Sequence, residues 1–74
     1  MKLTQELEGK KVKLTSNTEK IFEGVVGDYI YPEDNEPEGM DAVVLDYPIR
    51  NDGYQYQNPV QFNADEIQSI EIIN

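Results

Sequence analysis

Seven carboxylates, Asp28, Glu33, Asp34, Glu36, Glu38, Asp41 and Asp46, follow one another with no lysine or arginine between them. Carboxylate oxygens in that number could hold a hard cation such as Ca²⁺, which needs several of them to converge. The run Asp34-Asn35-Glu36 is vaguely like a calcium loop, but the glycine and ligand spacing of an EF-hand are missing. Pro32 and Pro37 are expected to hold the segment extended and so to spread its charges. No metal site is therefore expected. Glu33, Asp34, Glu36 and Glu38 read as a solvated loop, with docking of a basic protein partner as the functional alternative.

Five tyrosines stand against two phenylalanines. A tyrosine ring buries apolar surface while its hydroxyl stays wet, which suits an interface. Tyr29, Tyr31, Tyr54 and Tyr56 are the candidate binding surface, and a tyrosine-lined groove can take an extended peptide. Tyr54 and Tyr56 alternate in phase with Val60 and Phe62, so core at the rim of the fold is the competing reading. Four of the six bases, Lys10, Lys11, Lys13 and Lys20, cluster early in the chain. That polarity could steer head-to-tail association between unlike surfaces. Lysines on a strand also protect a sheet edge from aggregation.

Catalysis finds little support. There is no histidine and no cysteine, so the usual general bases and nucleophile pairs are missing. Nothing in the sequence brings two carboxylates together in an apolar pocket, and a chain this short leaves little room for a substrate cavity. The reading is a non-enzyme without a cofactor. The net charge of −9 opposes nucleic acid and anionic membrane surfaces, both of which draw on Lys and Arg. No apolar run reaches membrane-spanning length and the first residues lack a signal-peptide core, which leads to an expectation of a cytoplasmic protein.

These side chains need a frame. Seventy-four residues make one domain, 1–74. Leu, Ile, Val and Phe fill 19 of the 74 positions, above the level at which disorder is the default. Leu3 and Leu7 have helical spacing, with Thr4 as cap and Gly9 as stop, which predicts a short helix or turn over Lys2 to Leu7 that covers one end of the fold. Lys10 to Ser16 alternates, with Val12 and Leu14 inward, and Ser16-Asn17-Thr18 is a turn. Lys20 to Tyr31 is the longest run of strand-favouring residues. Neither of its faces is cleanly polar, which predicts cover on both sides over part of its length. Gly24 and Gly27 inside it mark bulges or bends. Pro32 to Gly39 is an exposed loop. Asp41 to Tyr47 is a third, largely buried strand, and Pro48 to Gly53 a turn. Tyr54 to Phe62 is a fourth strand, and its Pro59 belongs at an edge or bulge. Asn63 to Glu66 is a turn or a single 3₁₀ turn. Gln68 to Ile73 is a fifth strand with Ile70 and Ile72 inward and Ile73 outward. Five short strands, the second long and bent, describe an all-β, small, strongly bent barrel.

At this point the chain resembles the Sm-like branch of the SH3-like barrels. Phe22-x-Gly24, Val26 and Tyr29 fit the first family motif, while Ile30 stands where the family has Asp and Glu33-Asp34 where it has Met-Asn. Ile67 and Ile70 fit the aliphatics of the second motif, while Asn63-Ala64 occupies its Arg-Gly slot. The resemblance implies a barrel with a short N-terminal helix and a bent second strand. The residues that bind RNA in that family are not matched. The expected function is a protein-interaction or assembly module that binds a protein partner or itself, as a homo-oligomer, through a strand edge or the tyrosine-rich face. An acidic mimic of nucleic acid and an RNA binder using the lysine hairpin are the alternatives.

Overall fold

A computed structural model describes residues 3–73. Met1 and Lys2, where the expected N-terminal helix would begin, lie outside the described residues. Five strands follow a 3₁₀ turn at Gln5–Leu7: β1 (Lys11–Ser16), β2 (Ile21–Ile30), β3 (Ala42–Arg50), β4 (Val60–Asn63) and β5 (Ile67–Ile72). All neighbours are antiparallel, in the order β4-β3-β2-β1-β5. The sheet wraps one core. Phe62 on β4 and Ile67 on β5 come from its two opposite edges, yet both join the cluster of Leu3, Val12, Leu14, Phe22, Val26, Val43 and Leu45. Only a sheet curled into a barrel brings its edges to a shared core.

The first hairpin follows its sequence closely. Val12 and Leu14 are fully buried and lie opposite Gly24 and Phe22. Ser16 closes the turn, because its Oγ accepts the backbone N–H of Thr18 at 3.3 Å and of Lys20 at 3.1 Å. The bend of β2 is made where the glycines predicted it. The register with β3 shifts between Glu23 and Val25 and again between Val26 and Asp28. At Gly24 an added Cβ would lie 3.3 Å from the Cα of Pro48, so the close approach of the two backbones favours glycine. The slip at Gly27 changes the inward phase from Phe22 and Val26 to Tyr29, which packs on the core.

Three expectations are corrected and a fourth, the burial of Ile72, is refined. The outer face of β2 is open rather than covered, with Val25 41% exposed, because no second layer lies on this single sheet. β3 runs on through Pro48 to Arg50 instead of turning at Pro48. Proline is tolerated there because Gly24 faces a bulge: Glu23 pairs with Ile49 and Val25 with Asp46, so two residues, Tyr47 and Pro48, oppose one. Tyr47 takes the left-handed conformation, φ 47°, and Pro48 is buried. The fourth strand is shorter than Tyr54 to Phe62, since residues 54–59 make a single bridge, Gln55 to Ile49, before β4 begins at Val60. Pro59 stands immediately before this edge strand. Ile72 keeps the inward register, directly across from buried Val12, yet is 53% exposed because it lines an open groove beside the first 3₁₀ turn, whereas Ile70 packs on the core.

Candidate functional site

The acidic segment is folded, not extended, which corrects the expectation drawn from its prolines. Pro32–Asp34 forms a 3₁₀ turn, and Asn35 turns inward as one of two buried polar residues among those described. The Asn35 Nδ2 donates to the carbonyl of Met40 at 2.7 Å and to Asn63 Oδ1 at 3.1 Å. Gln61 Nε2 completes a three-amide cluster, donating to Asn63 Oδ1 at 3.0 Å. A buried amide so satisfied fixes the loop to β4. Glu33, Asp34, Glu36 and Glu38 point into solvent around it. Among the described residues no three carboxylates converge as metal ligands.

The four candidate tyrosines fall into two pairs of nearly the same geometry. Tyr29 and Tyr31, at one end of β2, meet edge to face at 4.9 Å and 83°. Tyr54 and Tyr56 meet at 5.0 Å and 89°, and Tyr56 also packs on Phe22 at the other end of β2. Arg50 lies across the second pair, its Cζ 5.0 Å from the Tyr54 centroid and 5.8 Å from that of Tyr56. Its Nη1 donates to the Tyr56 hydroxyl at 3.3 Å, and Asp52 accepts from Nε and Nη2 at 3.1 and 2.9 Å. The hydrogen bond from Arg50 holds the Asp52 carboxyl below its ordinary value, helped by the backbone N–H of Tyr54. The reciprocal bonds raise Arg50.

The first pair has carboxylates about it. The Tyr29 hydroxyl donates to Asp41 Oδ2 at 3.5 Å, and its backbone N–H to Glu8 Oε2 at 3.0 Å. The Tyr31 hydroxyl donates to Gln5 Oε1 at 2.8 Å. Burial, then the charges and hydrogen bond of Asp41, push the Tyr29 hydroxyl above its ordinary value, with smaller contributions from Tyr31 and Glu33. Both rings are thus tethered through their oxygens.

The lysine hairpin forms part of the outer sheet face. Lys13 lies across from Glu23 on β2 and Glu71 on β5, so that face carries both signs of charge. An open groove of about 710 Å³ runs between the first 3₁₀ turn and Ile72, lined by Gln5, Glu6, Glu8 and Lys10. A second depression, about 300 Å³, lies over Ile21, Ile49 and Arg50.

Sequence reasoning missed Asn35 and Arg50 as organising residues. A signal existed for the first, since Asn35, Gln61 and Asn63 are amides at a loop and on one alternating face. For Arg50, the tyrosines four and six residues on put aromatic faces within reach of the only arginine.

The strand order β4-β3-β2-β1-β5 and the bulged second strand make a small all-β barrel. A solved structure, described as a novel Sm-like archaeal protein from Pyrobaculum aerophilum, superposes with a TM-score of 0.70 at 19% identity, over 93% of this chain and 47% of that one. This chain thus spans about half of that protein's length, and the likeness is one of fold. No family model matches the sequence. No curated protein matches it either. Among the described residues no helix is long and apolar enough to cross a membrane.

Proposed function

We propose that this chain is a non-catalytic Sm-like assembly module that associates with further copies of itself through its two strand edges. The observation that carries the reading is the composition of those edges. The chain is 28% charged, yet β4, Val-Gln-Phe-Asn, and β5, Ile-Gln-Ser-Ile-Glu-Ile, hold one charged residue between them, Glu71. Exposed strands in monomers are defended by charge, bulges or cover. Here β5 ends on exposed Ile72, and exposed Ile73 follows it. An edge like β4 on one copy and an edge like β5 on the next make a heterologous, head-to-tail contact that can close into a ring.

Support for a non-catalytic role comes from the open grooves, where Glu6 and Glu8 stand in solvent rather than in an apolar enclosure. RNA binding gains no support from the Arg-Gly slot, where Asn63-Ala64 is followed by Asp65 and Glu66. Sedimentation velocity over a wide concentration range tests the proposal. Association should appear and should weaken in Ile72→Lys and Gln61→Lys variants that keep the wild-type circular dichroism. A monomer at every concentration overturns it.

A further inference from the structure

The two tyrosine pairs suggest a second surface, centred on β2 rather than on the edge strands β4 and β5. At one end of β2 the molecule shows how it holds a cation: two tyrosines at 89°, a guanidinium 5.0 and 5.8 Å from their centroids, and the Asp52 carboxylate forking the same guanidinium. At the other end stands a second pair at 83° and 4.9 Å. Tyr29 is bonded to Asp41 through its hydroxyl and to Glu8 through its backbone N–H, and exposed Glu33 follows Tyr31 by two residues. Tyr31 is 41% exposed, and its ring is fixed by Gln5.

We propose that the Tyr29–Tyr31 pair, with Glu8, Glu33 and Asp41, is a docking site for an arginine or lysine side chain of a basic protein segment, held as Arg50 is held by Tyr54 and Tyr56. The ring quadrupole attracts a cation over its face, and arginine in addition stacks on it. The hydroxyl tethers remove the ordering cost that a free tyrosine would bear on binding. The net charge of −9 and the acids of the neighbouring loop draw a basic segment toward this end. An anionic ligand, RNA included, is repelled by the same groups.

The test is a titration of the full chain with the synthetic peptide acetyl-Gly-Arg-Gly-Arg-Gly-Arg-Gly-amide, followed by amide and aromatic NMR shifts at low salt. Shifts should centre on Tyr29, Tyr31 and Asp41 and leave Tyr54 and Tyr56 in place. Tyr31→Leu keeps every charge and should weaken binding roughly 2- to 5-fold, the range of a solvent-exposed cation–π contact. Tyr31→Phe keeps the ring but loses its tether to Gln5, and should bind more tightly than Tyr31→Leu and more weakly than wild type. If Tyr31→Leu binds as wild type does, charge alone accounts for the affinity and the proposal falls. No binding at low salt overturns it equally. Neither result bears on the strand-edge reading, which sedimentation decides.

Discussion

Gly24 and Gly27 sit three residues apart in one strand, and alanine should affect them in opposite directions. Neither glycine has a positive φ, so the difference is steric. At Gly24 the new Cβ would meet the Cα of Pro48 at 3.3 Å and the Asp46 carbonyl oxygen at 3.5 Å. Ordinary carbon contacts begin near ~3.5 Å, and Pro48 is buried backbone on a neighbouring strand that cannot swing aside. Overpacking of that kind costs about 1–3 kcal/mol. The stiffer unfolded chain of the alanine variant returns about 0.4–1 kcal/mol. The net loss is about 1–2 kcal/mol, or roughly 4–16 °C in Tm for a domain of this size. At Gly27 the obstacle is the Asp46 carboxylate, whose Cγ would lie 2.7 Å away. Asp46 is exposed, so its side chain can rotate into water. Only the backbone term then remains, and Gly27→Ala should be as stable as wild type or up to about 1 kcal/mol more so. Thermal and urea unfolding of the two variants, followed by circular dichroism, measure the difference. Equal losses at both positions would refute the steric account. So would a loss for Gly27→Ala that persists when Asp46→Ala is its background.

Asn35→Leu should cost about 1–3 kcal/mol in urea unfolding, because it strands the Met40 carbonyl and breaks the contact with Asn63. Tyr29 has a raised pKa in the fold, so its contribution to stability is present below the unfolded tyrosine pKa and is lost as pH rises through the folded value. Wild type should therefore lose more Tm than Tyr29→Phe between about pH 9 and pH 11, and parallel curves would contradict the assignment. Asp52 should titrate below the ordinary carboxylate range by NMR and return toward it in Arg50→Met, an outcome that tests the Arg50 fork directly. Self-repulsion at −9 should make Tm rise as salt goes from low to physiological levels, and a fall over that range would count against it.

What the sequence disclosed depended on how local each cause is. The alternation of Val12 and Leu14 marks β1 because one face alone is buried, and the glycines of β2 mark its bulges because a bulge needs a small residue nearby. The passage of β3 through Pro48 is not legible locally. It depends on Gly24, on a different strand, and on the unusual backbone of Tyr47. Tyr54 to Phe62 alternates as a strand does, yet pairing also needs a partner, and β3 offers residues 54–59 one bridge. Ile72 alternates inward by sequence and pairs with buried Val12, but its exposure depends on the open groove beside it, which no local pattern records. The tyrosines were legible as a set. Their division into two pairs, one holding Arg50, was not, because side-chain packing across a barrel has no short-range period. Asn35 was hidden among acids because its partners on β4 are 28 and 26 residues away.

The place of β1 between β2 and β5 has a consequence during synthesis. Its pairing with β2 can form once Ile30 has emerged, whereas its other edge must wait for Ile67 to Ile72. At about 5–20 residues per second, the roughly 50 residues between Ser16 and Ile67 take about 3–10 s. Through that interval the ribosome-bound chain presents an unpaired hydrophobic edge at Val12 and Leu14. Lys11 and Lys13 stand on that strand and are then its guard against neighbouring nascent chains. A lysine that does little in the finished barrel can thus matter most before the barrel exists.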